Sequence, residues 1–504
     1  MIDMSTLPVI PSPILVLVLI LVSIPVLFVL LYQNITSKPA RHNTAIILVL
    51  GDIGRSPRMM YHAESFARHD WEAIVVGYGD TPPIPPLLEL PHVHLLHLAN
   101  PPWPIILLPW ALRAPIRILY QVFSVLYITL IRLPIRCEVL LVQNPPTIPT
   151  LALAQLIAYL TGTRLIIDWH NTGYSILAMR TGDKSPLVKV AKWFERRFGR
   201  NAWAHLFVTK AMEEFLMNEF ALEGKRAVLH DRPPPHFRRT EPILMHELFH
   251  RLITDLHPPL PPSFLPPEET STPLTYVPNH HTFNLPTHHP SRPALVVSST
   301  SWTADEDFSL LLTALDQYQA ELNDTPSKLP RLIVVITGKG ALRSQFEQAV
   351  QEREKTYWTD IIVRCLFVSA KDYPTLLGSA DLGVSLHSSS SGRDLPMKVV
   401  DMFGCGVPVL ARGFMAIGEL VKDGKNGRVF ETGAELGQQL IDTLTGFPEA
   451  EKLRNLQDYF VKQNNIPYSP SRRRGSLYEA EDEWSNWQEN WDRVIHRGLL
   501  TRTL

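Results

Sequence analysis

The sequence predicts an α/β protein built from two Rossmann-like halves and carried on an N-terminal membrane helix. Three observations lead there. Short β-rich runs alternate with helical stretches from residue 45 to 168, the pattern of parallel sheets covered by helices. The alternation restarts at residue 294, after an interval rich in Pro and His. Ahead of both halves, Val9 to Tyr32 contains no charged residue. At 504 residues the chain is long enough for two or three domains with full cores.

The first element is the expected anchor, 9–32. Of its 24 residues, 18 are Leu, Ile, Val or Phe, and about 20 apolar residues span a bilayer. Together they favour insertion by roughly 5 to 10 kcal/mol before Pro13, Pro25 and the serines subtract. The opening MIDMSTLP has no Lys or Arg, and no A-x-A pattern follows Tyr32, so a cleaved signal peptide fits less well. Lys38 and Arg41 come next, which orients the rest of the chain to the cytosol. Three widely spaced cysteines suit a reducing compartment. A net charge of -1 gives no sign of a nucleic-acid partner.

The first half is expected over 43–235, with strands at 45–50, 73–77, 93–98, 138–142 and 164–168 and helices at 58–68 and 149–160. Its opening turn, LGDIGRSPRMMYHA, resembles a nucleotide-binding turn without the G-x-G-x-x-G spacing. In place of those glycines stand Asp52, Arg55 and Arg58, with His62 on the helix beyond. Further strand ends present Asn144 in LLVQNPPTIP, and His170, Asn171 and Tyr174 in LIIDWHNTGYS. Ligands of doubly wound sheets bind beyond the carboxyl ends of the strands, which makes these residues candidates. Residues 103–136 have two readings, a buried helix or one lying in the membrane interface with its arginines toward head groups. The linker 236–293 includes a Pro- and His-rich stretch, 255–293, expected to be a disordered insertion.

The second half is expected over 294–470. Thr300 and Ser301 follow its first strand, and Thr337-Gly338-Lys339-Gly340 ends its second in a turn able to admit phosphate or sugar. The segment HSSSSGRDLPMKVVDMFGCG (387–406) is the most informative. A loop with Gly392 and Asp394 leads to Pro396, a favoured first helical residue. Lys398 beside the free N–H groups of a helix start suits a diphosphate. Asp401, one turn on, is placed to accept hydrogen bonds from ribose hydroxyls. Asp305-Glu306-Asp307 matches a metal-binding D-x-D pattern, but Thr303 and Glu306 also form a T-x-x-E capping box, and the cap is the expectation. The tail, 471–504, sets Trp484, Trp487 and Trp491 on one helix face for packing.

The stretches LGDIGRSPRMMYHA, LVQNPP, IDWHNTGYSI, AKWFERRFGR, DRPPPHF, VSSTSWTADEDFSLLL and GRDLPMKVVDMFGCGVPVLA, in order from about residue 45 to 495, closely resemble the chitobiosyldiphosphodolichol β-mannosyltransferases. The resemblance implies a GT-B fold with a cleft between its two domains. It also implies an enzyme at the cytosolic face of the endoplasmic reticulum membrane, moving the first mannose from GDP-mannose to O4 of the outer N-acetylglucosamine of dolichyl-diphosphate-linked chitobiose. An α-linked donor and a β-linked product require inversion, hence one general base and electrostatic help for the leaving GDP. Retaining relatives carry a Glu eight residues before a second acid. Asp401 stands at the second position and Arg393 at the first, which agrees with inversion.

On this resemblance the base is expected to be Asp52, with His170 as runner-up. Arg55, Arg58, His62, Asn144, Asn171 and Tyr174 are expected at the acceptor, and Thr300, Ser301, Gly338, Lys339, Gly392, Asp394, Lys398 and Asp401 at the donor. No cofactor is required, with a divalent cation left open, and other mannosyltransferases of the pathway are candidate partners. Two alternatives stand beside this reading: a transferase acting on another lipid-linked sugar, and an inactive sugar-nucleotide-binding scaffold subunit.

Overall fold

The computed structural model describes residues 33–102, 107, 109–266, 268, 270–278, 285–303, 305–324, 328–389, 391–464 and 484–501. The expected anchor, 9–32, lies outside them. By contacts the chain divides into two units, 1–206 with 219–227, and 207–218 with 228–504.

The first unit is organised by a seven-stranded sheet in the order β3-β2-β1-β4-β5-β6-β7. The strands are β1 (Ala40–Asp52), β2 (Glu72–Tyr78), β3 (Val93–His97), β4 (Arg136–Asn144), β5 (Arg164–Trp169), β6 (Asn201–Phe207) and β7 (Glu223–Val228). β1 pairs in parallel with β2 and β4, setting Ile46 between Ile74 and Leu140. Ala45 to Val49 are all buried, as a central parallel strand covered on both faces requires. Strand order reverses at β1, so the crevice beyond β1 and β4 is the topological switch point. The helix Pro57–Arg68 follows the first turn, its proline at a position where a missing N–H costs nothing.

The second unit repeats the scheme. β10 (Ala294–Ser299), β11 (Leu332–Thr337), β12 (Ile361–Leu366), β13 (Leu382–Ser385), β14 (Val409–Arg412) and β15 (Gly427–Phe430) form a sheet ordered β12-β11-β10-β13-β14-β15. Every neighbouring pair in it is parallel. β10 shows the two-residue period of a strand buried on both faces. Leu295 and Val297 join a core with Val399, Val400, Phe403 and Trp484. Ala294 and Val296 join another with Leu311, Leu315, Tyr318 and Leu440. The switch point here lies between β10 and β13.

Three outcomes bear on the sequence expectations. The described parts of 255–293 are ordered and packed rather than a disordered insertion: Leu256, Leu260, Phe264 and Leu274 belong to the second unit's core, and a short antiparallel pair joins β8 (Thr275–Tyr276) to β9 (Thr287–His288). The apolar residues spaced among the prolines supply that core, which composition alone conceals. In 103–136, the helix Trp110–Leu126 continues as a wider π turn, Tyr127–Arg132. It is not a buried helix, since Leu119 and Phe123 are exposed. The tail packs as expected but not on one helix face: Trp484, Trp487 and Trp491 are buried, yet the helix spans only Trp487–Trp491, and Trp484 precedes it, edge-on to Phe403 and Phe460.

Candidate active site

In the first unit, the end of β5 places Asp168 at the bottom of the switch region, fully buried. The helix Pro57–Arg68 turns Arg58 and His62, four residues apart and hence on one face, onto its carboxylate. Arg58 makes a two-pronged contact, Nε to Oδ2 at 2.7 Å and Nη2 to Oδ1 at 3.0 Å. His62 Nε2 lies 3.2 Å from Oδ2, and His170 Nε2 lies 2.9 Å from the same oxygen. Burial opposes ionisation of Asp168, but the Arg58 guanidinium, with His170 and His62, holds its carboxyl well below the usual range. For His62 burial dominates and pushes the imidazole pKa down, against the pull of Asp168.

An ionised carboxylate only accepts hydrogen bonds, so His170 must donate through Nε2. A neutral His170 ring then carries its lone pair on Nδ1. Side-chain exposure is 8 % for Arg58, 1 % for His62, 0 % for Asp168 and 26 % for His170. Of this cluster, His170 is the member that reaches solvent.

Asp52 is placed differently. Its Oδ1 accepts the Thr81 amide at 3.1 Å, while Oδ2 is sealed from solvent without a hydrogen-bond partner, 3.5 Å from Arg55 Nε. Thr81 above all, aided by the Gly54 amide and Arg55, holds the carboxyl below its usual range. Both oxygens are thus occupied or covered, and the carboxylate ties down the loop at Thr81. A Cβ on Gly54 would stand 2.5 Å from the Thr81 carbonyl, so this glycine serves the same packing. Arg55 is 81 % exposed and is available to an anion. Arg58, expected beside it, is instead committed to Asp168.

The remaining first-unit candidates gather around a residue the sequence reading did not single out, Glu195. Its buried carboxylate accepts Asn144 Nδ2, Thr147 Oγ1 and the amides of Gly173 and Tyr174, at 2.5, 3.2, 2.9 and 3.2 Å. Burial raises its pKa, and those hydrogen bonds oppose the rise. Asn144, expected at the acceptor, is fully buried, and its amide also reaches the Asn171 carbonyl at 3.1 Å. It therefore organises the turn rather than offering a surface. Asn171 Oδ1 accepts the Thr172 amide at 2.8 Å. Tyr174 is the second residue of the helix Gly173–Thr181, its ring in an edge-type contact with that of Phe220. A signal for Glu195 was present: Val188, Ala191, Glu195 and Gly199 line the buried stripe of the helix Pro186–Gly199, and an acid on such a stripe needs partners.

In the second unit, the loop after β10 and the helix after β13 meet through Glu306 and Lys398. Glu306, with a side chain 2 % exposed, takes Lys398 Nζ at 2.9 Å on one oxygen. The other accepts the Thr300 hydroxyl and, at 3.1 Å, the Ser301 amide. Lys398 also reaches Ser301 Oγ at 3.3 Å and is 26 % exposed. Thr300 is buried and spends its hydroxyl inside this loop, where it also accepts the Trp302 amide. The expected capping box does not hold. The helix Phe308–Asp324 starts two residues beyond Glu306, and Asp307 accepts the Ser309 amide at 3.1 Å. Asp305 contacts His387 Nδ1 at 3.1 Å. Each acid of the D-x-D stretch thus has a protein partner of its own.

Around this pair the expected donor residues fall as follows. Gly338 has φ +148°, and a Cβ there would stand 1.8 Å from the Thr300 carbonyl; one on Gly340 would stand 2.2 Å from that of Ser301. The two glycines let the β11 turn close onto the β10 loop. Lys339 Nζ sits over the Phe367 ring at 3.7 Å. Gly392, at φ +68°, turns the serine loop, and Asp394 Oδ1 accepts the hydroxyls of Ser389 and, at 2.9 Å, Ser391. Arg393 lies over the Phe215 ring at 3.7 Å. The helix Met397–Gly404 begins after Pro396, which is its cap rather than its first residue. Burial pushes the half-buried Asp401 carboxyl up to about 7, and no described residue hydrogen-bonds to it.

These features define the class: two parallel α/β units, each with polar side chains gathered at its switch point, form a glycosyltransferase of the GT-B type. A family described as "Glycosyl transferase 4-like domain" matches residues 54–230, and one described as "Glycosyl transferases group 1" matches 292–445. Among solved structures, Anabaena Alr3699/HepE in complex with UDP and glucose shares the fold with a TM-score of 0.52 at 15 % identity, covering 84 % of this chain and 95 % of that one. The human chitobiosyldiphosphodolichol β-mannosyltransferase is 39 % identical over 86 % of this chain and 91 % of its own. An Arabidopsis thaliana relative named UDP-glycosyltransferase TURAN is 40 % identical over 81 % of this chain and 90 % of its own. The chain belongs to the chitobiosyldiphosphodolichol β-mannosyltransferase family.

Proposed function

We propose that this chain transfers mannose from GDP-mannose to O4 of the outer N-acetylglucosamine of dolichyl-diphosphate chitobiose, inverting the anomeric centre, in the assembly of the lipid-linked oligosaccharide for N-glycosylation. It works at the cytosolic face of the endoplasmic reticulum membrane, held by a single span at 9–32. The observation that carries the mechanism is the hydrogen bond from His170 to the buried Asp168.

His170 is the general base in this reading, in preference to Asp52. Asp168 fixes the ring with Nδ1 as its basic nitrogen and stabilises the imidazolium that forms. As His170 Nδ1 takes the hydroxyl proton, acceptor O4 bonds to mannose C1. The C1–O bond to the diphosphate breaks, and GDP leaves with its electron pair. Lys398 carries the positive charge that the departing diphosphate needs, drawn from its pairing with Glu306. Asp401 accepts from the ribose hydroxyls, and the exposed Arg55 meets the acceptor diphosphate. No divalent cation is required, because the acids of the D-x-D stretch are engaged with protein groups.

The test incubates the purified full chain with GDP-mannose and a chitobiosyl diphosphate bearing a short lipid, in parallel with UDP-sugars, the donor class named in the Arabidopsis relative. A β-linked mannose product supports the reading. An α-linked product, or transfer from a UDP-sugar alone, defeats it.

A further inference from the structure

The helix Trp110–Leu126 and the π turn Tyr127–Arg132 carry an apolar stripe that the first unit leaves uncovered. Leu112, Leu119, Phe123, Tyr127 and Ile131 are 56, 56, 69, 55 and 51 % exposed. Their spacing follows one helix face, the wider π turn keeping the last two in line. The opposite face is bound into the fold, with Val125, Ile128 and Thr129 buried. Over Pro115–Arg132 the mean hydropathy is 1.2, and 22 % of the segment is buried. With one side fixed to protein and Arg117 and Arg132 exposed beside the other, this helix is suited to lie along a membrane rather than cross it.

Charge points to what covers it. From residue 90 through 137 the sequence has no Asp or Glu, but has Arg113, Arg117, Arg132 and Arg136. A cationic, acid-free segment carrying an apolar stripe complements anionic lipid head groups.

The chain path supplies an independent constraint. Lys38 Nζ donates to the carbonyls of Leu130, Ile131 and Leu133 at 2.7, 3.1 and 2.6 Å, satisfying acceptors that a helix end leaves open. Arg136 Nε in turn donates to the Lys38 carbonyl at 2.9 Å. Lys38 follows the uncharged run 9–32 by six residues, a reach of at most about 20 Å fully extended. Residues 33–37 are helical, which shortens it further. A chain leaving a bilayer at residue 32 therefore keeps the end of this helix close to that bilayer's surface.

We propose that the stripe from Leu112 to Ile131 lies in the head-group and acyl boundary of an anionic bilayer, parallel to its plane, with its arginines among the head groups. The inference rests on reading 9–32 as a membrane span. It gives the first unit a second, in-plane contact with the membrane and so fixes its orientation there, which a single flexible tether does not.

The test uses the full chain in nanodiscs of phosphatidylcholine and phosphatidylserine. The three native cysteines are buried, so one fluorophore can be placed through Phe123→Cys, Ile20→Cys or Ser369→Cys in turn. Each is quenched by nitroxide-bearing lipid and, separately, by aqueous iodide. Labels at positions 123 and 20 are expected to be quenched more by lipid than by iodide, and the label at 369 the reverse. A position-20 label quenched by lipid beside a position-123 label open to iodide overturns the proposal and leaves the anchor reading standing. Iodide access at position 20 removes the anchor reading and the proposal with it. A position-123 label shielded from both quenchers, with energy transfer between labelled copies, shows that a second copy covers the stripe and also overturns it.

Discussion

His170 Nε2 stands 2.9 Å from Asp168 Oδ2, pairing a partly exposed imidazole with a carboxylate that no solvent reaches. Arg58 and His62 converge on that carboxylate from the helix after the first turn. The result is a fixed anion at the base of the first unit's switch point, whose outward effect passes through a single ring. Asp52 closes a loop nearby, with one oxygen bonded to the Thr81 amide and the other covered.

Arg58→Ala leaves Asp168 buried without its two-pronged partner. The expected loss of stability is about 3 to 5 kcal/mol, read as a lowered unfolding temperature of the detergent-solubilised chain. Arg58→Lys recovers only part of it, because an ammonium cannot bridge both oxygens. Unchanged melting in Arg58→Ala contradicts the role given to this contact.

Lys398→Ala removes the cation held by Glu306. With one charge-assisted contact worth about 1.5 to 3 kcal/mol, kcat/KM for the sugar nucleotide falls roughly ten- to hundredfold, and a chelator leaves the activity of the unaltered chain in place. Activity abolished by chelation and restored by a divalent cation speaks against this charge arrangement.

Asp401 gives a pH dependence of defined sign. Its folded carboxyl lies at about 7, against about 4 when unfolded, so the folded chain holds that proton more tightly. Its contribution is complete below about pH 4 and is lost as pH rises to about 7, by up to about 4 kcal/mol. Asp401→Asn lacks this fall, as thermal melts across that window will show. GDP binding, if the ribose donates to the ionised carboxylate, tightens over the same range, and calorimetric titration checks it.

The sheets were legible because Ile46 to Leu50 and Leu295 to Val297 are apolar runs of strand length between turn signals. The site was legible in part. His170 and Lys398 could be named because each follows a strand of a doubly wound sheet, but the arginine that holds Asp168 beneath His170 and the acid that holds Lys398 could not be identified in those roles. Arg58 and Asp168 are 110 residues apart, and Glu306 and Lys398 are 92 apart, so only the fold brings them together. The capping box failed for a local reason. The T-x-x-E spacing was right, but the helix starts at Phe308, and Glu306 pairs with Lys398 instead.

The central claim is that His170, not Asp52, takes the acceptor proton. The direct measurement is single-turnover transfer from GDP-mannose in His170→Ala and Asp52→Asn, each with its GDP affinity determined alongside. In His170→Ala the transfer rate is expected to fall by about two to four orders of magnitude with GDP affinity unchanged, while Asp52→Asn retains most of its transfer. A His170→Ala chain that still turns over, beside an inactive Asp52→Asn chain with normal GDP binding, would contradict it.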